Sequence, residues 1–231
     1  MSGVSIYLDG PSLEQISEID SKVIRGFTFN PTLFRNAGVL DYLGHCRKLL
    51  EACGELPVSL EVVADDQEGM IRQARILASL GSNVFVKIPI SFTNGESTKE
   101  VIGTLVAEGI KLNITAVFTV SQVETILPVL GQSRSIISVF AGRLFDIGID
   151  AVEAIRTIVD RVHSESNCSV LWASPRMVYD FKNASSAGCD IITMAPALIR
   201  KLSLLNKSPE EYSLDTVKMF YSDAVASGYK L

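Results

Sequence analysis

The sequence predicts an α/β protein folded as a (β/α)8 TIM barrel with an additional C-terminal helix. Short apolar or β-branched runs alternate with longer amphipathic stretches along nearly the whole chain, which is the pattern of βα units on a parallel sheet. Eight such runs in 231 residues lie about 29 residues apart, a spacing that suits a compact eight-stranded barrel. An open doubly wound sheet is the alternative, but the chain contains neither GxGxxG nor GxxxxGK[ST]. We therefore predict one domain over residues 1–231.

The predicted elements follow one another in strict alternation. The strands are Ser5–Asp9, Gly26–Asn30, Val58–Val63, Val84–Pro89, Leu112–Phe118, Ser135–Gly142, Ser169–Ser174 and Asp190–Ala195. The helices are Ser12–Ile19, Leu40–Cys53, Gln67–Leu80, Ser97–Glu108, Ser121–Leu130, Ala151–Glu165, Arg176–Ala187 and Pro196–Leu202. Two residues suit N-cap positions, Asp150 and Ser208. Three glycines stand where a helix often ends in a left-handed residue, namely Gly81, Gly109 and Gly188.

A ninth amphipathic segment, at about residues 208–228, follows the eighth unit. It begins Ser-Pro-Glu-Glu and places five apolar residues at helical spacing, namely Leu214, Val217, Phe220, Tyr221 and Val225. Because the barrel already has eight helices, the apolar face of this extra helix must be buried elsewhere, on the barrel or on a partner subunit.

Composition excludes several classes of protein. With 47% hydrophobic and only 20% charged residues, the chain is not a disordered or fibrous protein. A net charge of −5 and the absence of a basic block argue against a nucleic-acid partner. No apolar run approaches the ~20 residues of a membrane span, and the N-terminus lacks the basic start of a signal peptide.

The cysteines and histidines do not form a metal-binding pattern. The four cysteines, Cys46, Cys53, Cys168 and Cys189, include no CxxC pair, and neither His45 nor His163 has metal-ligand spacing to another strong ligand. We expect buried free cysteines, no metal, and a reducing cytoplasmic location.

Charged residues at the predicted strand ends are candidates for catalysis, because the active sites of such barrels lie at the C-terminal ends of the strands. Lys87 stands within the apolar run Val84–Pro89. Burial there favours the neutral amine, which can form a Schiff base with a ketone. The alternatives are a lysine that reaches to water, or a buried ion pair with Glu61. Glu61 is then a general acid/base or a structural partner, and Asp9 is a site carboxylate or the N-cap of the next helix.

Arg143 and Arg176 follow the sixth and seventh strands, and Ser174 precedes the second arginine by two residues. Two guanidinium groups and a hydroxyl at one rim suit a phosphate, although surface arginines are also common. Phe140 and Trp172 fit barrel packing. Further polar residues at strand ends are Asn30, Asn113, Thr115 and Ser138.

Five short segments occur in order along these strands. They are Tyr7–Asp9, Gly26–Thr32, Val86–Pro89, Glu108–Thr115 and Ser138–Arg143. Together they resemble the transaldolase and fructose-6-phosphate aldolase family of class I aldolases, in its short single-barrel form. The resemblance extends from Tyr7 to about Leu202, nearly the whole chain.

The resemblance implies a Schiff base on Lys87, proton transfers by Asp9 and Glu61, and a catalytic water held with the help of Thr115. It implies no metal and no organic cofactor. It also implies that Asn30 and Asn113 bind the hydroxyls of the donor, that Ser138 lies near its dihydroxyacetone portion, and that Arg143 and Arg176 bind phosphate with Ser174. The full set of substrate-binding residues expected is Asn30, Asn113, Ser138, Phe140, Arg143, Trp172, Ser174 and Arg176.

Two positions indicate the branch of the family. Fructose-6-phosphate aldolases carry Gln at the position of Glu61 and Tyr at that of Phe140, so this chain is more similar to transaldolases. We expect transfer of a dihydroxyacetone unit between sugar phosphates, as in the pentose phosphate pathway. The alternatives are an aldolase that releases dihydroxyacetone, an enzyme of a specialised sugar pathway, and an inactive barrel that senses a phosphosugar. The resemblance also implies a homo-oligomer, a pentamer or decamer, with the terminal helix exchanged between subunits.

Overall fold

The strands close into a barrel. In the computed structural model, which describes residues 3–18 and 23–229, eight parallel strands pair in sequence order and β8 pairs with β1. They are β1 (Ser5–Asp9), β2 (Ile24–Thr28), β3 (Val58–Glu61), β4 (Val84–Pro89), β5 (Leu112–Val117), β6 (Ile136–Val139), β7 (Ser169–Trp172) and β8 (Ile191–Met194). The (β/α)8 prediction is confirmed, and the open sheet is wrong because it would leave β1 and β8 unpaired.

Helices cover the outside of the barrel and fill the connections. They are α1 (Leu13–Ser17), α2 (Pro31–Asn36), α3 (Tyr42–Cys53), α4 (Gln67–Ala78), α5 (Lys99–Ala107), α6 (Val120–Leu130), α7 (Ala141–Asp146), α8 (Ala151–Glu165), α9 (Asp180–Ala187), α10 (Pro196–Ile199) and α11 (Pro209–Ser227), with a 3-10 turn at Leu202–Asn206. Ile19, the predicted end of the first helix, lies outside the described residues.

Two short helices that the sequence analysis did not predict begin directly after strands. Asn30 caps α2 and Pro31 occupies its first turn, a combination that starts helices. The sixth strand ends at Val139 rather than Gly142 because Ala141–Asp146 forms α7. Both helices lie at the C-terminal end of the barrel.

The predicted helix ends are mostly as expected. Asp150 and Ser208 cap α8 and α11 through their side chains. Gly109 and Gly188 have φ of +75° and +82°, the left-handed conformation that glycine adopts most easily. The prediction for Gly81 is wrong, because α4 already ends at Ala78 and Gly81 has no positive φ.

The main apolar core lies between the strands and the helices, whereas a smaller cluster fills the barrel itself. Tyr7 belongs to the inner cluster and packs against the backbone of β2. A Cβ at Gly26 would come within 2.6 Å of the Tyr7 ring, so only glycine accommodates that ring. Tyr7 precedes Asp9 by two residues on the same face of β1. Its ring therefore lies inside the barrel, below Asp9 and the C-terminal ends of the strands.

The terminal helix α11 does not pack into this core. It runs for 19 residues with none of them buried. Phe220 and Tyr221 are 64% and 73% exposed. Across the described part of the chain, no helix is both long enough and apolar enough to cross a bilayer.

Candidate active site

A small cavity of about 120 Å³ opens at the C-terminal ends of the strands. Most of its lining residues are polar, and most of these lie on the inner faces of the strands, where side chains alternate with those of the outer face. The polar ones are Asp9, Thr28, Asn30, Lys87, Asn113, Thr115, Ser138, Arg143, Ser174 and Thr193, and the apolar ones are Phe140, Leu171 and Ala173. A larger cavity of about 420 Å³ lies outside the barrel against α1, α2 and α3 and includes no predicted site residue. The inner cavity is therefore the candidate active site.

Lys87 lies within the barrel, where it is only 6% exposed. Its Nζ lies 2.7 Å from Glu61 Oε2 and donates to the carbonyl oxygen of Phe29 at 3.0 Å. Glu61 is its register partner on the neighbouring strand, which explains how the two side chains meet. Lys87 therefore does not reach out to bulk water; it forms the ion pair that the sequence analysis left open and also faces the cavity.

Asp9 accepts a hydrogen bond from Thr28 and does not act as a helix cap. Ser12 caps α1. Thr28 Oγ1 donates to Asp9 Oδ1 at 2.7 Å, and lies 2.5 Å from Thr193 Oγ1. Burial raises the pKa of Asp9, and nearby Glu61 adds to this; the Thr28 hydrogen bond and Lys87 oppose it. The net effect is a raised pKa, which suits a carboxyl that exchanges protons.

Asn113 and Ser138 line the cavity, and hydrogen bonds connect them to Ser59, which lies behind Asn113. Ser138 donates to Asn113 Oδ1 at 2.6 Å, and Asn113 Nδ2 donates to Ser59 Oγ at 3.0 Å. These residues come from β6, β5 and β3, and all three are buried. The arrangement fixes the orientation of the Asn113 amide and leaves it one further N–H to donate.

Thr115 presents an unsatisfied hydroxyl. Its Oγ1 is buried and makes no hydrogen bond among the described residues, yet it lines the cavity beside Lys87. Next to it, Ala116 has φ of +58° and the β5–β6 register shifts. Such bulges re-aim side chains near active sites. A buried hydroxyl without a partner is costly, so this group suits a bound water or substrate oxygen.

Phe140 and Arg143 form the rim at the start of α7. The Arg143 guanidinium lies 5.1 Å from the centroid of the Phe140 ring, which also packs against Phe118 at 5.8 Å. The stacking orients the guanidinium over an aromatic face. Both residues line the cavity. Phe140 therefore contacts Phe118 and also faces the cavity.

Ser174 reaches the cavity through an unusual backbone conformation. Its φ is +58°, which is uncommon for a residue with a side chain. Its carbonyl presses so closely on Gly142 that a Cβ there would collide with the backbone of Ser174. The contact ties the loop after β7 to the start of α7, and so places Ser174 and Arg143 at one rim.

Comparison with known proteins identifies the family. The model of the family described as "Transaldolase/Fructose-6-phosphate aldolase" matches residues 6–229. The chain belongs to this family. It is 32% identical to a "Probable transaldolase" of Ruegeria sp. over 99% of this chain and 100% of that protein. It is 34% identical to another "Probable transaldolase", from Thermus thermophilus, over 86% and 90% of the two chains.

Solved structures agree on the fold. A putative copper homeostasis protein CutC from Streptococcus agalactiae superposes with a TM-score of 0.62 at 13% identity, covering 82% of this chain and 97% of that one. A putative phosphonomutase from Burkholderia cenocepacia gives a TM-score of 0.60 at 10% identity, with coverage of 96% and 95%. At these identities the likeness concerns the barrel alone.

Three predicted site residues do not line the cavity of this transaldolase-family protein. Glu61 contacts Lys87 but lines a second pocket, which it shares with Tyr42. Trp172 is fully buried on the outer face of β7 and packs against Phe145 at 6.0 Å, because Leu171 and Ala173 take the inner face. Contrary to the expectation from the sequence, Trp172 therefore does not line the cavity. Arg176 is 46% exposed at its side chain and pairs with Asp146 on the surface, so Arg143 is the arginine that faces the cavity.

Asn30 lines the cavity, and one end of its side-chain amide already makes a hydrogen bond. Its Oδ1 accepts from the backbone N–H of Leu33 at 3.0 Å, which caps α2. The Nδ2 group of this cavity-lining side chain makes no hydrogen bond among the described residues.

Four residues outside the predicted set also shape the site. Thr28 donates to Asp9, Thr193 contacts Thr28, and Ser59 accepts from Asn113. Tyr42 donates to the backbone carbonyl of Glu61 at 2.5 Å. Alternation along the strands is the signal that could have found the first three, since each lies on an inner face. Tyr42 lies on α3 and has no such signal. Within residues 3–18 and 23–229, no cluster of three or more His, Cys, Asp or Glu could hold a metal ion.

Proposed function

We propose that this protein is a transaldolase that moves a dihydroxyacetone unit through a Schiff base on Lys87. The donor is a ketose phosphate such as fructose 6-phosphate, and the acceptor is an aldehyde such as erythrose 4-phosphate. The observation that carries the proposal is a lysine amine inside the barrel, 2.7 Å from Glu61 and facing the same cavity as Asp9. Family membership supports it.

The first half of the reaction breaks a carbon–carbon bond. After the Lys87 ammonium passes a proton to Glu61, the neutral amine attacks the C2 carbonyl of the ketose, and loss of water gives an iminium ion. Asp9 takes the proton of the C4 hydroxyl, the C3–C4 bond breaks, and its electron pair passes into the iminium to form an enamine. The shortened aldose leaves.

The second half reverses these steps with a new aldehyde. The enamine attacks the acceptor carbonyl, and Asp9 returns its proton to the new hydroxyl. Water then hydrolyses the iminium and frees Lys87. The unpartnered hydroxyl of Thr115 and the carboxylate of Glu61 support a role in holding that water.

Arg143 supports a phosphorylated substrate. It faces the cavity with no acidic partner within salt-bridge distance among the described residues, and Ser174 stands on the same rim. A guanidinium that can donate two parallel hydrogen bonds suits a phosphate group.

The terminal helix supports self-association. Seven large apolar residues of α11 are more than half exposed, namely Tyr212, Leu214, Val217, Met219, Phe220, Tyr221 and Val225. Exposed apolar residues gathered on one element are typical of a protein–protein contact surface. We propose that copies of this chain cover it in a ring-shaped assembly.

Borohydride trapping tests the catalytic proposal. With fructose 6-phosphate present, reduction should fix a three-carbon adduct on Lys87, located by peptide mass mapping. Lys87→Ala should abolish the adduct. Lys111→Ala is the matched control, because Lys111 donates to Ser82 at the opposite end of the barrel, and it should leave trapping intact. An adduct on another lysine, or turnover that requires a divalent metal, contradicts the proposal.

A further inference from the structure

We propose that Thr193 is a positioning residue, whose hydroxyl donates to Thr28 and thereby keeps the Thr28 hydrogen on the Asp9 carboxylate. This inference rests on the role proposed above for Asp9 in proton transfer. Thr193 makes no hydrogen bond to Asp9 itself among the described residues, so it acts through another side chain.

The strand order brings the three residues together. β1 lies between β2 and β8 in the closed barrel. Asp9 is the register partner of Thr28 on one side, and Thr193 that of Tyr7 on the other. The two threonines thus flank β1, and their hydroxyls meet inside the barrel at 2.5 Å. Thr28 is 3% exposed and Thr193 is 5% exposed.

The number of available hydrogens fixes the direction of the hydrogen bond between Thr193 and Thr28. A threonine hydroxyl has one hydrogen to donate. Thr28 uses its hydrogen on the ionised Asp9 carboxylate at 2.7 Å, so the hydrogen between the two threonines must come from Thr193. Two aligned O–H groups then point toward one carboxylate. Aligned hydrogen bonds polarise each other in a poorly hydrated interior, so the outer hydroxyl strengthens the inner bond.

The two hydrogen bonds from Thr193 to Thr28 and from Thr28 to Asp9 form a hydroxyl chain. This hydroxyl chain also distinguishes the two oxygens of Asp9. Oδ1 accepts from Thr28, whereas Oδ2 accepts no hydrogen bond among the described residues, so Oδ2 is the oxygen more available for proton exchange with a substrate hydroxyl. If Thr193 lost its hydroxyl, Thr28 would keep its hydrogen but lose the bond that orients it. The ionised state of Asp9 would then be less stabilised.

Other groups also act on Asp9 and must stay constant in any test. Lys87 from β4 favours the ionised carboxylate, Glu61 from β3 disfavours it, and burial raises its pKa. Tyr7, on the same strand, is buried with a raised pKa and stays neutral near pH 7. None of these is removed by a change at Thr193.

A graded set of variants tests the inference in the free protein. Thr193→Val removes only the hydroxyl, Thr193→Ser retains it, and Thr28→Val removes the direct donor. Asp9 ionisation is followed by infrared titration of the carboxyl stretch, which is assigned as the signal lost in Asp9→Asn. The acid dissociation constant should fall by roughly two- to tenfold in Thr28→Val, by less in Thr193→Val, and not measurably in Thr193→Ser.

Controls separate this effect from loss of structure. Thr157→Val, at an exposed site on α8 where the hydroxyl donates to Glu153, should leave the titration unchanged. If Thr193→Val does not fold by circular dichroism, Thr193→Ala replaces it. An unchanged Asp9 titration in a folded Thr193→Val or Thr193→Ala protein overturns the inference.

The pH profile of fructose 6-phosphate cleavage gives a second readout. In Thr193→Val the acid limb should move to higher pH, and in Thr193→Ser it should stay in place. Lower activity with an unmoved limb in both variants would indicate a merely structural role and contradict the inference. If wild type lacks this activity while the infrared titrations shift as expected, the proposed function fails but the hydroxyl chain stands.

Discussion

Glu61 and Lys87 are register partners on β3 and β4, and their side chains form an ion pair 2.7 Å long inside the barrel. The charges therefore face each other because of strand pairing. The pair keeps a basic amine and a carboxylate together at the cavity, and it makes the stability of the barrel depend on both.

Removing one member of this pair should cost more than removing both. Lys87→Met leaves Glu61 close to Asp9 without a counterion, and loss of one partner of a buried pair costs about 3–5 kcal/mol. The double variant Lys87→Met/Glu61→Leu should recover part of that loss. Urea unfolding of the single and double variants measures the coupling. As a control, Arg75→Met breaks the exposed pair with Glu108 and should cost about 0.2–1 kcal/mol. Equal costs at the two pairs would contradict this prediction.

Asp9→Asn should stabilise the fold while it removes the proposed proton carrier. Burial raises the pKa of Asp9, so the folded protein binds more protons than the unfolded chain just above the ordinary Asp pKa. The free energy of unfolding therefore falls as the pH rises through the folded pKa, and the loss is complete above it. The amide has no such loss, and a gain of roughly 0.5–2 kcal/mol is expected at neutral pH.

Thermal unfolding between about pH 4 and 8 measures this difference, which should shrink at the acid end. Asp160→Asn on the exposed face of α8 is the control and should show no trend of this kind. A neutral-pH loss of stability in Asp9→Asn would show that the electrostatic attraction of Asp9 to Lys87 and its Thr28 hydrogen bond outweigh the cost of burial.

Arg143→Ala should weaken a phosphorylated substrate far more than its dephosphorylated analogue. Loss of a charge-assisted hydrogen bond costs ~1.5–3 kcal/mol, or about 10- to 150-fold. Arg176→Ala should weaken binding of the phosphorylated substrate less than Arg143→Ala does, because the Arg176 guanidinium is paired with Asp146 outside the cavity. Steady-state kinetics with both substrates give the ratios. Equal losses on the two substrates in Arg143→Ala would mean that Arg143 is structural.

Phe140→Tyr should raise release of free dihydroxyacetone relative to transfer. With Phe at this position there is no phenol to deliver a proton to the enamine on Lys87, so the enamine should persist until an acceptor arrives. The ratio of dihydroxyacetone to transfer product is measured with fructose 6-phosphate and saturating erythrose 4-phosphate. Phe118→Tyr is the matched control, because Phe118 packs against Phe140 but does not line the cavity. If wild type mainly releases dihydroxyacetone, the aldolase alternative is correct.

Truncation after Lys207 should disrupt self-association. The deletion removes α11, whose exposed apolar residues are proposed to be covered by neighbouring copies. Sedimentation at micromolar concentration should show an oligomer for the full chain and smaller or insoluble species for the truncated one. Removing only residues 229–231 is the control. A full chain that sediments as a monomer would contradict the proposed assembly.

Strand positions and most cavity residues could be predicted because inward and outward side chains alternate along a strand. The alternation fails where the backbone departs from extended geometry. By alternation Trp172 and Ser174 share one face, and the sequence analysis placed both at the site. In the structure the positive φ of Ser174 turns its side chain to the cavity, whereas Trp172 packs outward.

The short helices and the hydroxyl chain were missed for other reasons. The residues that begin α7 continue the apolar pattern of β6, so they also fit a longer strand. Thr28 and Thr193 are 165 positions apart in the sequence, and only closure of the barrel brings them together. The family resemblance is confirmed by a match over residues 6–229, whereas the roles of the individual site residues stay predictions.

The unburied surface of α11 has a consequence for the behaviour of the protein on dilution. Isolated helices are marginal in water, and most helical stability comes from packing. Because no side chain of α11 is buried against its own barrel, the proposed assembly makes its helical content depend on protein concentration by mass action. At very low concentration the protein would then dissociate and α11 would unfold, so that the ordered part of the chain would end near Asn206. Concentrated samples would contain the complete helix.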